Sequence, residues 1–366
     1  MVWLIIWPSA SVLQHFFGEG RGVAVREHTA FAGMGVEIVA HSSPNQREAE
    51  GRRAAGLALV LGLAALALSA CRSASTDVTE ARGLGEGRIR AVATTGMIAD
   101  IVRNVGGKRV EVVQMMGAGI DPHLYTATES DVTTLTQADI IFYNGLNLEA
   151  RMGEIFEQMG DSRPTVAVGE AVPPNERLAD PRYEGQPDPH VWMNVRHWMK
   201  ATEAVRDALI ALDGDGEALY RANADAYLAE LEALDASVEE QIARIPEEQC
   251  VLVTAHDAFQ YFGQRYGIEV FAPQGISTQS EAGVEDIRQT IELVVSRHIP
   301  AIFVESSVPP DVIEAIVAGV RAEGHAVSIG GQLYSDAMGE LGTPEGTYVG
   351  MIRRNTKTIV SALAGD

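Results

Sequence analysis

From about Arg88 onward, apolar residues along the chain follow two alternating rhythms. Short runs rich in β-branched residues are separated by longer segments with an apolar residue every three or four positions. The runs RIRAVATT (88–95), RVEVVQMM (109–116), DIIFYNG (139–145) and PTVAVG (164–169) read as strands. CVLVTA (250–255), IEVFAP (268–273), AIFVES (301–306) and HAVSIG (325–330) form a second set. MIADIVRNVGG reads as a helix between the first two strands, and Thr128 with Asp131 three residues on resembles a capping box that opens another. Strands alternating with helices imply parallel sheets covered by helices on both faces. The expected fold class is therefore α/β, with two similar lobes, each a roughly four-stranded parallel sheet flanked by helices.

The segment GEALYRANADAYLAELEALDASVEEQIARIP divides the two sets. Tyr227, Leu231, Leu234, Val238 and Ile242 stand at helical spacing and Pro246 ends the pattern. The expected organisation is an N-terminal lobe over 88–214, one long rigid helix over 215–246 and a C-terminal lobe over 247–366. A single helical connection allows little relative motion, whereas a flexible hinge would need two or three loose crossings.

The leader has a different character. Arg52 and Arg53 precede an apolar run that ends in Leu68-Ser69-Ala70-Cys71, which is the layout of a secretory signal and resembles a bacterial lipobox. That reading makes 51–70 a lipoprotein signal peptide, Cys71 the acylated residue of the mature chain and 71–87 a flexible tether. The alternative is a plain transmembrane helix, for which the run is short. Residues 1–50 sit oddly ahead of such a signal and are expected to be an over-extended gene start, with Met34 or a nearby codon as the true one.

The chain's 366 residues are enough for two domains with ordinary cores. Its formal net charge is −22, while residues 1–71 hold five basic and five acidic side chains, so the whole excess lies beyond Cys71. Such a chain is a poor nucleic-acid binder. The two cysteines, Cys71 and Cys250, make no disulfide framework, and Cys250 at the start of an apolar strand reads as a small hydrophobe.

Candidate chemistry begins with a repeated tripeptide. DPH occurs in DPHLYTATESDV and again in DPHVW, and each proline stiffens the loop that presents the imidazole. In open α/β sheets ligands gather beyond the carboxyl ends of the strands. His123 follows the second strand, His190 lies in the long loop after the fourth, His256 directly follows CVLVTA, and Asp336 follows the eighth. Two come from each lobe, which puts the site in the cleft between them. Three imidazoles and a carboxylate make a four-coordinate site suited to Zn²⁺, or to Mn²⁺ if the carboxylate binds through both oxygens.

Each residue taken alone has a plainer role. A loop histidine is commonly solvated or caps a helix, and Asp336 after Ser335 could begin a short helix. His15, His28, His41, His197, His298 and His325 read as structural or exposed, and Trp192 and Trp198 as packing or interface residues. Glu305, closing AIFVES, is the one candidate general base for a metallohydrolase, and also a candidate for a position behind the ligands or at the crevice rim.

At these residues the chain resembles the zinc- and manganese-binding solute-binding lipoproteins of bacterial ABC importers, the cluster A-I or cluster 9 family, from about Arg88 to Ala364. The carriers are TTGMIADIV, MGAGIDPHLYTATESDV, ADIIFYNGLNLE, DPHVWMNV, VTAHDAFQYFG, QGISTQSEAG, PAIFVESSV, IGGQLYSDAMG and GTPEGTYVGMI. The resemblance implies metal ligands at His123, His190, His256 and Asp336. It implies a monomeric receptor, anchored to the cell membrane through lipid on Cys71, that carries Zn²⁺ or Mn²⁺ to an ABC permease and its ATPase. Residues 124–189 lack the His-rich loop of zinc-specialised members, while His256 replaces the Glu of many manganese-specialised ones, so the metal stays open. A surface adhesin and a metal-dependent hydrolase are the alternative functions.

Overall fold

A computed structural model describes residues 87–179 and 185–365, all of which belong to one compact unit running from Arg82 to Asp366. The leader, the apolar run, Cys71 and His15, His28 and His41 lie outside the described residues. Among the described residues no helix is long and apolar enough to cross a membrane.

Four parallel strands, β1 (Ile89–Ala93), β2 (Val110–Gln114), β3 (Ile140–Tyr143) and β4 (Thr165–Ala167), form a sheet in the order β2-β1-β3-β4. The central pair is almost wholly buried, as expected of parallel strands covered on both faces. Because β1 has β2 on one side and β3 on the other, the connections part between β1 and β3, and a crevice opens beyond their carboxyl ends. Helix α1 (Gly96–Gly106) follows β1, with Thr95 as its N-cap. Thr128 and Asp131 form the expected capping box on α2 (Glu129–Thr136), and α3 (Gly153–Gly160) lies between β3 and β4. α4 (Val195–Leu212) completes the lobe.

Helix α5 (Glu217–Ile242) then runs for 26 residues, about 39 Å at 1.5 Å per residue. Its buried positions Tyr220, Ala224, Tyr227, Leu231, Leu234, Val238 and Ile242 make one apolar stripe.

The second lobe holds β5 (Val251–Val253), α6 (Gln260–Tyr266), β6 (Glu269–Phe271), α7 (Val284–Ser296), β7 (Ala301–Glu305), α8 (Asp311–Ala322), β8 (Ser328–Leu333) and α9 (Tyr348–Ala364). Its four strands register as two parallel pairs, β5-β6 and β7-β8, with β5 alongside β7 but not laddered to it. Where a continuous ladder would run on, the Glu305 carboxylate accepts the Ala255 and His256 amides at 2.8 Å each. Strand β8 lies three residues beyond the expected run because Gly330 and Gly331 dilute its apolar pattern. Both glycines are needed there: a Cβ on Gly330 would sit 2.7 Å from the Phe303 ring, and Gly331 has φ 138°.

One hydrophobic core passes through both lobes. It joins Ile89, Phe142 and Trp198 to Leu231, Phe262, Phe303 and Ile352, with smaller satellite clusters on the outer side of each lobe. Buried polar contacts reinforce it. Asp100 on α1 accepts from Tyr227 of α5 and from the Tyr348 amide at the start of α9. Asp235 on α5 takes a bidentate pair from Arg265 at 2.9 and 2.6 Å, the Tyr266 hydroxyl at 3.0 Å and Arg196 at 2.9 Å. Removing a carboxylate that holds a mostly buried guanidinium leaves the cation uncompensated. Asp235→Ala should therefore lower the unfolding free energy by on the order of 3 kcal/mol in urea titrations, while Glu217→Ala, in an exposed pair with Arg221, should change it by less than about 1 kcal/mol.

Candidate metal centre

The two DPH tripeptides are the same local structure built twice. In each, the Asp side chain accepts the backbone N–H of the histidine two residues on, at 2.8 Å from Asp121 to His123 and 2.9 Å from Asp188 to His190. This is an Asx turn, and the intervening proline fixes the φ it needs. The turn points both imidazoles into the crevice. His256 arrives directly from the end of β5, and Asp336 from the loop after β8.

These four side chains, all buried, place one ligand atom each within 4.8 Å of one another. A metal about 2.0–2.1 Å from each of four tetrahedral ligand atoms holds them about 3.3–3.4 Å apart. The His190 Nε2 lies 3.3 Å from His123 Nε2, 3.4 Å from His256 Nε2 and 3.4 Å from Asp336 Oδ1. Asp336 Oδ2 lies 3.3 Å from His256 Nε2 and 3.8 Å from His123 Nε2. Both carboxylate oxygens thus face the imidazoles, so the same side chains suit four-coordination or five. Neither oxygen has a hydrogen-bond donor, although both are buried. A buried carboxylate without donors is costly unless a cation faces it, so the donor set fits a divalent metal.

Further carboxylates stand behind the ligands. His190 Nδ1 is 2.7 Å from Asp188 Oδ1, and His256 Nδ1 is 2.6 Å from Glu305 Oε2. Each fixes its ring with Nε2 turned to the centre and raises its basicity. Glu305 therefore stands against a ligand, bound on all sides, and is not free at the rim. Asp121 also reaches the second lobe through Thr278 Oγ1 at 2.6 Å. The Trp192 ring lies edge-on to His190, and its N–H donates to the Ser335 carbonyl at 2.9 Å, across the lobes. Asp121, Asp188 and Thr278 were not singled out from sequence, yet an Asp two residues before each histidine was a visible Asx-turn signal.

The remaining described histidines lie apart from this cluster. His197 sits against Glu176 and the Tyr261 ring, while His298 and His325 pack together with ring centroids 5.3 Å apart. Trp198 stacks on Tyr348 in the core, and Cys250 is partly buried with its thiol near the Gly267 carbonyl.

Charge is distributed unevenly over the four side chains. Burial pushes His123 down to about 3, with the Asp336 charge only partly opposing it. Burial also disfavours a charged His190, but Asp188 and Asp336 outweigh it and raise this imidazole to about 9. His256 is raised well above its ordinary value, burial being overcome by Glu305 and Asp336. Burial would raise Asp336, yet His256 and the other imidazoles hold it well below the carboxylate range.

The fold and this pocket together are those of a two-lobed, helix-linked α/β metal-binding protein. Residues 91–362 match the family model described as zinc-uptake complex component A periplasmic (ZnuA), and the chain belongs to that family. It is 47% identical over 279 residues to the zinc-binding protein TroA of Treponema pallidum, covering 76% of this chain and 90% of that protein. It is 42% identical over 309 residues to the manganese-binding lipoprotein MntA of Bacillus subtilis, covering 84% and 99%. The solved structure of periplasmic zinc binding protein TroA from Treponema pallidum superposes with a TM-score of 0.74 over 76% of this chain and all of that one.

With His190 and His256 both raised by their carboxylate partners, a metal entering the site would compete with protons for them at neutral pH. Affinity should accordingly rise with pH up to about 9 and fall on acidification, with at least one proton released per metal at pH 7. Calorimetric titration in buffers of different ionisation enthalpy measures this release. The metal-free protein should behave oppositely: the raised His190 stabilises the folded state fully below about pH 6.5, and that contribution is lost as pH rises towards 9. Thermal melts of both forms over that window check the crossing trends.

Proposed function

We propose that this protein is an extracytoplasmic receptor that captures a divalent transition metal, zinc or manganese, through His123, His190, His256 and Asp336 and delivers it to an ABC-type permease and its ATPase. The observation that carries this reading is the match between the 3.3–3.4 Å spacings and the edges of a tetrahedral metal site, enclosed by residues from both lobes. The names of the related zinc- and manganese-binding proteins support it. Three imidazole nitrogens favour Zn²⁺ over Mn²⁺ at equilibrium, so the ion carried in the cell is set by availability as well as by the site.

Capture is a better account of the geometry than catalysis. A hydrolytic zinc site keeps one position for water, whereas here four protein ligands fill a tetrahedron. Glu305, the candidate base, already accepts two amides and pairs with His256, which leaves it nothing to offer a substrate. No specific observation favours an adhesin.

The lobes are proposed to span 88–214 and 247–366 around the linking helix, with the site completed by a single chain acting as a monomer. The continuous core between the lobes supports a receptor that closes by small adjustments. Upstream, 51–70 is proposed as the signal peptide and 71–87 as a tether on acylated Cys71, in keeping with the lipoprotein names of several relatives.

Single removals of His123, His190 or His256 to Ala should each weaken Zn²⁺ binding by about 100-fold or more in competition with a chromophoric chelator. His298→Ala and His325→Ala, whose residues precede β7 and β8 at the opposite strand ends, should bind as the parent does. At a thousandfold excess over Kd, metal should stabilise the parent by about 4 kcal/mol, and equal loss in ligand and control variants would reject the ligand set. For the anchor, Cys71→Ala should abolish acylation and shift the protein from membrane to soluble fractions in its host. A mature N-terminus located elsewhere by mass spectrometry, with Cys71 unmodified, would reject that part alone.

A further inference from the structure

Beyond β3 the backbone turns through three consecutive left-handed residues: Gly145 at φ 75°, Leu146 at 54° and Asn147 at 66°. Glycine takes this conformation freely, but a leucine there is strained and has no side-chain polar group to offset it. Such strain survives only where the surroundings over-determine it, and it concentrates at functional positions.

The surroundings here are specific. Glu149, buried at 3% exposure, accepts the Thr94 hydroxyl at 2.7 Å, the Asn144 amide at 2.8 Å and the Gly145 amide at 3.2 Å. One carboxylate therefore pins both the start of the turn and the end of β1. Steric contact closes the remaining freedom: a Cβ on Gly145 would lie 2.8 Å from that of Ala167, and one on Gly169 would lie 2.7 Å from the Asn144 carbonyl.

The turn then grips the second DPH loop. Asn144 Nδ2 donates to the Gly145 carbonyl and to the Pro189 carbonyl, both at 3.0 Å, and Pro189 carries the peptide that leads into His190. Asn147 Nδ2 reaches Gln186 at 3.2 Å in the same segment. None of these groups touches the ligand cluster, yet they determine where the His190 backbone sits.

We infer that Glu149 and Asn144 are positioning residues for metal capture: the buried carboxylate locks the left-handed turn, and the Asn144 amide holds the Pro189–His190 peptide so that His190 Nε2 meets the other three ligands at tetrahedral spacing. The inference rests on His190 being a metal ligand, as proposed above. Partners that orient ligating side chains typically change metal affinity by about 10- to 100-fold when removed. In Glu149→Gln an N–H must face an N–H, and in Asn144→Ala the bridge to Pro189 is gone.

The test uses Co²⁺ alone as the probe on the full mature chain, reading its visible absorption, which is intense in four-coordinate sites, and its release to a chelator. Glu149→Gln should weaken and shift the Co²⁺ band and release the ion about tenfold faster, with a smaller change of the same sign in Asn144→Ala. Ile316→Ala, in the satellite core of the second lobe, supplies a variant with lowered Tm but the parent band and release rate. Should Glu149→Gln fail to fold, Asn144→Ala decides. Parent-like spectra and release in the turn variants, or equal changes in Ile316→Ala, would overturn the inference. His190→Ala, run alongside, separates the two levels: loss of the band there with unchanged turn variants overturns only the positioning role, whereas a retained band overturns the ligand assignment on which it rests.

Discussion

A buried carboxylate faced, among the described residues, only by imidazole nitrogens is the constraint around which this molecule is arranged. Asp336 faces three imidazole nitrogens, with two more carboxylates, Asp188 and Glu305, directly behind two of the rings. Burying such a charge costs several kcal/mol unless a positive partner is close. Protons on His190 and His256 can supply it, and a divalent cation at the centre would serve better because the Nε2 atoms and both Asp336 oxygens face the same point. On the proposed ligand set, binding would be an exchange of protons for metal.

Holding four ligand atoms within 4.8 Å of one another, with the His190 spacings at the 3.3–3.4 Å of a tetrahedral edge, demands that two lobes meet in one register. The polar contacts that cross between them cluster around the ligand loops. Trp192 donates to Ser335, the Tyr348 hydroxyl donates to Trp192, Tyr261 donates to Asp188, and Thr278 donates to Asp121. Each touches a ligand's neighbour in sequence, so displacement of one lobe is felt at the metal. The long helix and the shared apolar core supply the coarse alignment, and these bonds supply the fine one.

The same architecture separates capture from chemistry. Two DPH turns present rings from a stiff backbone, and carboxylates orient the His190 and His256 rings through Nδ1. A site so completely furnished with protein ligands is suited to holding an ion until the lobes or loops shift, rather than to activating water.

Much of this was written in the one-dimensional pattern. Alternating strand and helix periods determined the α/β class, all eight strands, the long helix with its apolar stripe and the capping box at Thr128, because these depend on local propensity and on which face must be buried. Motif chemistry and the strand-end rule pointed to His123, His190, His256 and Asp336. Tertiary structure alone decided the rest. The second lobe's strands pair two and two, and just past β5 the Glu305 side chain takes the Ala255 and His256 amides. Spacings of 3.3–3.4 Å between ligand atoms from segments as far apart as His190 and Asp336, the Asp188 and Asp336 carboxylates that lift His190 against the burial that lowers His123, and the grip of Asn144 on Pro189 all depend on the folded backbone. No periodicity encodes such contacts. They arise only when the folded backbone brings the segments within reach and shuts out water.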